Sequence, residues 1–161
     1  MHVVHPIAQE RYIARVAADG AAISRRKSPK HGRVLDLFPE LVGLVGLVTH
    51  PNLTLEVGMV GEEQVWRDDG QGSWRRRRWS IADRRLLAVG QSAIFATPAD
   101  FAALLPADLP DHFDTGELAT RIQAPRRLAQ QMVYCLRIMG LVLAENKRGR
   151  AVLYRRAAGG V

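Results

Sequence analysis

Two sets of side chains in this sequence have the types and spacing to do chemistry. The first is acidic: Glu40 falls in a stretch that reads as helix, and Glu56, Glu62 and Glu63 fall in one that reads as strand. Carboxylates from a helix and adjoining strands can hold Mg²⁺ and let it polarise a scissile phosphate. A lysine two residues beyond one of these acids would complete that arrangement. None is present, because Glu56 is followed by Val57 and Gly58, and Glu63 by Gln64 and Val65. The second set is cationic and polar. Drawn at about 100° per residue, Arg126, Arg127, Gln130, Gln131, Tyr134 and Arg137 fall on one side of a helix and Leu128, Ala129, Met132, Leu136 and Met139 on the other. No Asp or Glu occurs between Glu117 and Glu145. Arginine and glutamine pair bidentately with guanine and adenine edges, so this set points to recognition rather than to a reaction.

Other chemistries lack their residues. Five scattered histidines and the single cysteine give no zinc spacing. His50 has no partnered nucleophile, and Asp68 and Asp69 are too few and too irregular for a calcium loop. Gly43-x-x-Gly46 and Gly70-x-Gly72 lack the strand and lysine of a phosphate loop. No catalytic residue, metal ligand or cofactor is therefore assigned. Two further cationic stretches remain. Trp74, Arg75, Arg76, Arg77, Arg78 and Trp79 place four cations between two indoles, a possible second nucleic-acid surface, since arginine stacks on aromatic rings and aromatic rings on bases. The same cations could instead pair with Glu62, Glu63, Asp68 and Asp69. The run from Arg25 to Arg33 reads as a loop that either holds phosphates or is simply solvated.

The elements that must position these residues follow from periodicity and breakers. Residues 11–16 and 22–26 read as two strands around an Asp19-Gly20 hairpin signal. Residues 34–48 read as a helix, weakened by Pro39 and two glycines and ended by Pro51-Asn52. Residues 53–60 and 63–67 read as strands turned at Gly61-Glu62, residues 86–96 as another strand, and Thr97-Pro98 opens a helix to residue 105. Beyond the join at residues 106–110, Asp114 or Thr115 can cap a helix with Glu117 in its first turn. Leu118, Ala119 and Ile122 give that helix its apolar stripe. Pro125 suits the first position of the second helix and Gly140 closes it. Residues 141–144 and 150–155 then read as strands flanking a cationic turn, Glu145 to Gly149.

On the residues ELATRI, PRRLAQQMVYCLRIMGLV and KRGRAVLY, the last third resembles the winged helix-turn-helix domains of prokaryotic DNA-binding proteins. The resemblance implies Arg126 to Arg137 presented to a groove and Lys147, Arg148 and Arg150 near a phosphate backbone. On SRRKSPKHGR, HPNLTLEV and GSWRRRRWSIADRRLL, the first part resembles an uncharacterised prokaryotic domain family, which implies no reaction.

Charge adds to this picture. The formal net charge is +7, and residues 117–156 hold nine Lys or Arg against two Asp or Glu, while the remainder holds fourteen of each. The excess therefore lies in one segment, as in a polyanion-binding module. With 20 Arg to 3 Lys, however, arginine is the chain's default cation. Cys135 cannot form an intramolecular disulfide and is expected in the core, which fits a reducing, cytoplasmic setting. No signal peptide is recognisable, and the longest apolar run, eight residues from Leu41 to Val48, is too short to cross a bilayer.

The expected fold class is α+β: a small mixed α/β N-terminal domain over residues 1–105, then a winged helix-turn-helix over residues 111–156. The expected function is binding of double-stranded DNA through the second helix and the hairpin, with a regulatory role and a homodimer both possible. Two alternatives are an adaptor that docks a protein partner, with the N-terminal domain as its specificity element, and a Mg²⁺-dependent restriction-like nuclease using Glu40, Glu56 and Glu63.

Overall fold

Among the described residues more of the chain lies in strands than in helices. The computed structural model describes residues 1–72 and 78–157. Its elements run β1 (His2–Val16), β2 (Ala22–Lys27), a 3-10 turn (Val34–Leu37), α1 (Phe38–Leu41), α2 (Val45–Val48), β3 (Thr54–Asp68), β4 (Trp79–Phe95), α3 (Pro98–Ala102), α4 (Thr115–Arg121), α5 (Arg126–Ile138), β5 (Val142–Arg148) and β6 (Ala151–Arg156). One sheet has the order β2-β1-β3-β4, and β5 pairs with β6 in a second. Internal contacts divide the chain into two units, residues 6–34 with 58–92, and residues 1–5 with 35–57 and 93–161.

In the first of these units, the β1–β2 hairpin turns where the Asp19-Gly20 signal stands. Gly20 takes φ +91°, and the Asp19 carboxylate accepts the Ala21 N–H at 2.9 Å. Tyr12 lies opposite Lys27 and Arg15 opposite Ser24, so Arg25 and Arg26, where the strand and loop readings overlapped, belong to β2, and so does Lys27. The turn expected at Gly61-Glu62 is absent, and β3 passes straight through it for 15 residues. The acids that suggested a turn are matched by cations instead: Glu62 by Arg11, and Glu63 by Arg25 at 2.6 Å. Pairs of this kind let charged residues stay within a sheet. β4 ends the strand order and is exposed from residue 82 to 92, with Arg84 and Arg85 among its charges. Charges of that sort keep an edge strand from recruiting other chains.

The second unit holds the larger core, including Phe38, Leu41, Val57, Phe101, Phe113, Leu118, Met132 and Leu136. The helix expected over residues 34–48 is broken into a 3-10 turn and two four-residue helices. Pro39 stands in the first turn of α1, where its missing N–H costs nothing. Gly43 and Gly46 favour interruption over continuation, because glycine gives up the most backbone freedom in a helix. Phe95 stacks on Phe101 with ring centroids 4.6 Å apart. Asp100 closes a capping box with Thr97 at the start of α3.

The architecture corrects the expected one. Among the described residues strand outweighs helix, in a four-stranded and a two-stranded sheet, and four of the five α-helices have seven residues or fewer. The α+β arrangement of an N-terminal domain followed by a winged helix-turn-helix does not describe it. The physical reason lies in α5. Its apolar face is shared among α4, α1, α2 and β5 rather than closed within the last third of the chain. Cys135 on that face is fully buried, its thiol 4.0 Å from the Phe38 carbonyl. The hairpin differs as well: β5 continues through Lys147 and Arg148, leaving only Gly149 and Arg150 as the turn.

Candidate functional site

The capping of α4 sets the local geometry. The Asp114 carboxylate accepts the N–H groups of Gly116 at 2.7 Å and Glu117 at 2.9 Å, and Glu117 reaches back to the Asp114 N–H at 2.8 Å. Three donors at the helix start are thereby satisfied. After a tight turn at Gln123, φ 49°, Pro125 occupies the N-cap of α5. Gly140, φ +75°, ends that helix in a conformation that strains a side chain.

α5 buries Leu128, Ala129, Met132, Val133, Cys135 and Leu136. With those directions fixed by packing, the remaining side must face water. Arg126, Arg127, Gln130, Tyr134 and Arg137 are exposed and Gln131 is half-exposed. The six residues selected from the sequence thus lie on one accessible side of α5, a helix that carries no acidic residue. Two of them are braced. The Arg126 Nε donates to Thr115 Oγ1 at 3.2 Å, and the Arg137 guanidinium lies 6.0 Å from the Tyr154 ring centroid. Tyr154 in turn packs on buried Phe113.

The hairpin residues are not equivalent. Lys147 and Arg150 are exposed, and neither side chain forms an ion pair among the described residues. Arg148 reaches Asp114 Oδ2 and Glu117 Oε1, each at 2.9 Å. Its charge is therefore spent on the two carboxylates that cap α4. Backbone N–H donation, with Arg148 adding to it, holds the Asp114 carboxyl below the usual range despite partial burial. The Arg148 guanidinium is pushed up by the same two acids. Sequence reasoning missed this exchange, since only the antiparallel fold of β5 brings Arg148 back to residue 114. Glu145 is likewise lowered by hydrogen bonds, first from Arg155 and then from His112.

The other candidates fare differently. Trp74, Arg75, Arg76 and Arg77 lie outside the described residues. Arg78 pairs with Asp68 at 3.1 Å, and the Trp79 ring sits 5.1 Å from the Arg15 guanidinium. Of the acids, Glu56 lies 3.0 Å from His2, and Glu63 is held by Arg25 and, at 3.8 Å, by Arg85. Among the described residues no three His, Cys, Asp or Glu side chains gather as a metal site would require. Glu56 and Glu63 thus have basic neighbours within the sheet, while Glu40 is exposed on α1. Burial pushes the Cys135 thiol pKa up to about 11. No helix of the described residues is long and apolar enough to cross a membrane.

Comparison with known proteins adds a family and no reaction. Residues 1–96 match the family described as a domain of unknown function (DUF8091), and the chain belongs to it. The match ends one residue past β4. An uncharacterised protein of Treponema pallidum (strain Nichols) is 34% identical over 155 residues, 96% of this chain, so its likeness extends through α5 and the hairpin. The chain spans 61% of that relative's length. No solved structure matches. Both findings replace the winged-helix resemblance, which neither supports.

Proposed function

We propose that the chain binds nucleic acid, double-stranded DNA first among the candidates, through the exposed side of α5. The observation that carries the reading is the accessible side of α5 formed by Arg126, Arg127, Gln130, Gln131, Tyr134 and Arg137, on a helix without an acidic residue. Cations there release counterions from a phosphate backbone, and the glutamines and arginines supply donors for base edges. Lys147 and Arg150 add unpaired charge from the hairpin, whereas Arg148 contributes little while Asp114 and Glu117 hold it. The reading asks for no helix-turn-helix; it needs only a basic helix face on a polyanion.

Electrophoretic titration of a duplex at two salt concentrations tests it. Lys147→Ala is expected to weaken binding nearly uniformly across sequences and to flatten the salt dependence by about one ion. Arg127→Ala is expected to relax base preference as well. Affinity indifferent to both substitutions would remove the DNA role from this helix.

A second reading has its own observation. Ile138 follows Tyr134 by one helical turn and is 52% exposed, an apolar side chain beside the cations. A protein partner with an acidic rim around an apolar spot would fit that combination. Excess duplex separates the two: an adaptor keeps such a partner at moderate salt, and a nucleic-acid binder releases it.

A further inference from the structure

Away from the exposed side of α5, a groove of about 90 Å³ opens where the first residues of β1 and residues 53–55 meet α1 and α2. Its floor is Leu37, Leu41, Leu53 and Leu55, all buried. At its rim Val3 is 37%, Leu44 50% and Leu47 47% exposed. All of these residues belong to one unit, residues 1–5 with 35–57 and 93–161. Single exposed leucines are ordinary, but several around one concavity mark a place where something apolar can settle.

The groove also carries a charge. Residues 37, 40, 41, 44, 47 and 48 of its lining recur every three or four positions, the spacing of one helix side, and keep it across the break between α1 and α2. Five of them are Leu or Val, and the sixth is Glu40. A carboxylate thus stands where the pattern calls for an aliphatic side chain. Glu40 is exposed, and among the described residues it forms no hydrogen bond or ion pair. His5, the other polar side chain of the lining, forms no ion pair with it.

Size and charge together limit the occupant. An apolar cavity of roughly 150 Å³ holds benzene, so this smaller groove suits a branched chain of about four carbons rather than a ring or a partner's helix. A carboxylate at its edge draws a cationic head and repels an anionic one. From the aliphatic floor, the half-exposed rim and the unpaired Glu40, we infer that this groove binds a short, branched alkylammonium ion. The chain lies among the leucines and the ammonium group beside Glu40. Because that carboxylate is exposed, the head stays partly hydrated and the pair avoids the cost of burying two charges. The inference is independent of the DNA reading, because it uses no side chain of α5.

Titration of the full chain with 3-methylbutylammonium, 3-methylbutanol and 3-methylbutanoate at constant ionic strength, followed by the NMR shifts of leucine methyl groups, tests it. The ammonium ion is expected to bind about threefold more tightly than the alcohol, the size of an exposed ion pair, and the carboxylate most weakly. Glu40→Gln should erase the difference between ammonium and alcohol and leave the alcohol's own affinity in place. Leu44→Ala, at a half-exposed position, should weaken both by about fivefold. Asp111→Asn, an exposed acid of the same unit outside the groove, should change nothing. Ammonium and alcohol binding alike, a preference that survives Glu40→Gln, or one lost equally in Asp111→Asn would overturn the cationic head. No saturable shift with any of the three, or Leu44→Ala binding as wild type, would overturn the groove as a site. Sedimentation equilibrium covers the remaining occupant: Leu44→Glu should leave the mass unchanged, and a dimer that this substitution dissociates would assign the groove to a second copy of the chain instead.

Discussion

Asp114 performs two tasks with one carboxylate. Through Oδ1 it caps α4, and through Oδ2 it holds Arg148. Asp114→Ala should cost about 1–2 kcal/mol, within the range for losing an N-cap, while Asp114→Asn should keep most of the cap and lose the ion pair. Urea denaturation of the two variants separates the tasks; equal losses would mean that the ion pair dominates. The pH dependence follows in sign. A carboxyl lowered in the folded state stabilises fully above its unfolded value of about 3.8, and that contribution disappears as pH falls through the lower folded value. Releasing Arg148 should also raise affinity for a duplex, because a cation now neutralised returns to the hairpin surface. Cys135 gives a second residue-scale test. With a buried thiol pushed up to about 11, it should resist iodoacetamide at pH 8 in the native protein and react fully in urea; rapid native alkylation would place it at the surface.

At the scale of elements, α5 is the one helix longer than seven residues among those described, with one face buried and the other exposed. Leu136→Ala should cost about 2–5 kcal/mol, as for other fully buried leucines. Arg127→Ala on the opposite face should leave the denaturation midpoint nearly unchanged. A large loss from the second substitution would show the polar face to be packed. This element was legible in the sequence because its 3.6-residue period, its proline start and its glycine end all agreed. The β1–β2 hairpin was legible for a similar local reason, Asp-Gly between alternating strands. Residues 34–48 and 61–62 were not. In the first, glycines inside an apolar pattern broke a helix that periodicity alone continued. In the second, Gly61-Glu62 carries a turn's composition, and only the cross-strand cations Arg11 and Arg25 explain why the strand goes on. Those partners lie about 40 to 50 positions away, where local patterns carry no information.

For the molecule as a whole, the sequence of elements in the last third suggested a free-standing module, and tertiary packing decided otherwise. α5 buries its apolar side partly on α1 and α2, elements from the middle of the chain. Nothing in residues 113–156 alone announces that arrangement. The surface side chains were readable all the same, since a helix that buries one face must expose the other whatever covers it. The excess of positive charge over residues 117–156 survives the change of architecture, reduced where Arg121 pairs with Asp108 and Arg148 with Asp114. The central claim is that this surface meets nucleic acid, and salt dependence reads it most directly. Fluorescence anisotropy of a duplex of about 20 base pairs, titrated between about 50 and 200 mM salt, should give a binding slope that falls by nearly three ions when Arg126, Arg127 and Arg137 are changed together to alanine. No binding at the lower salt, or a slope unchanged in the triple variant, would contradict the account.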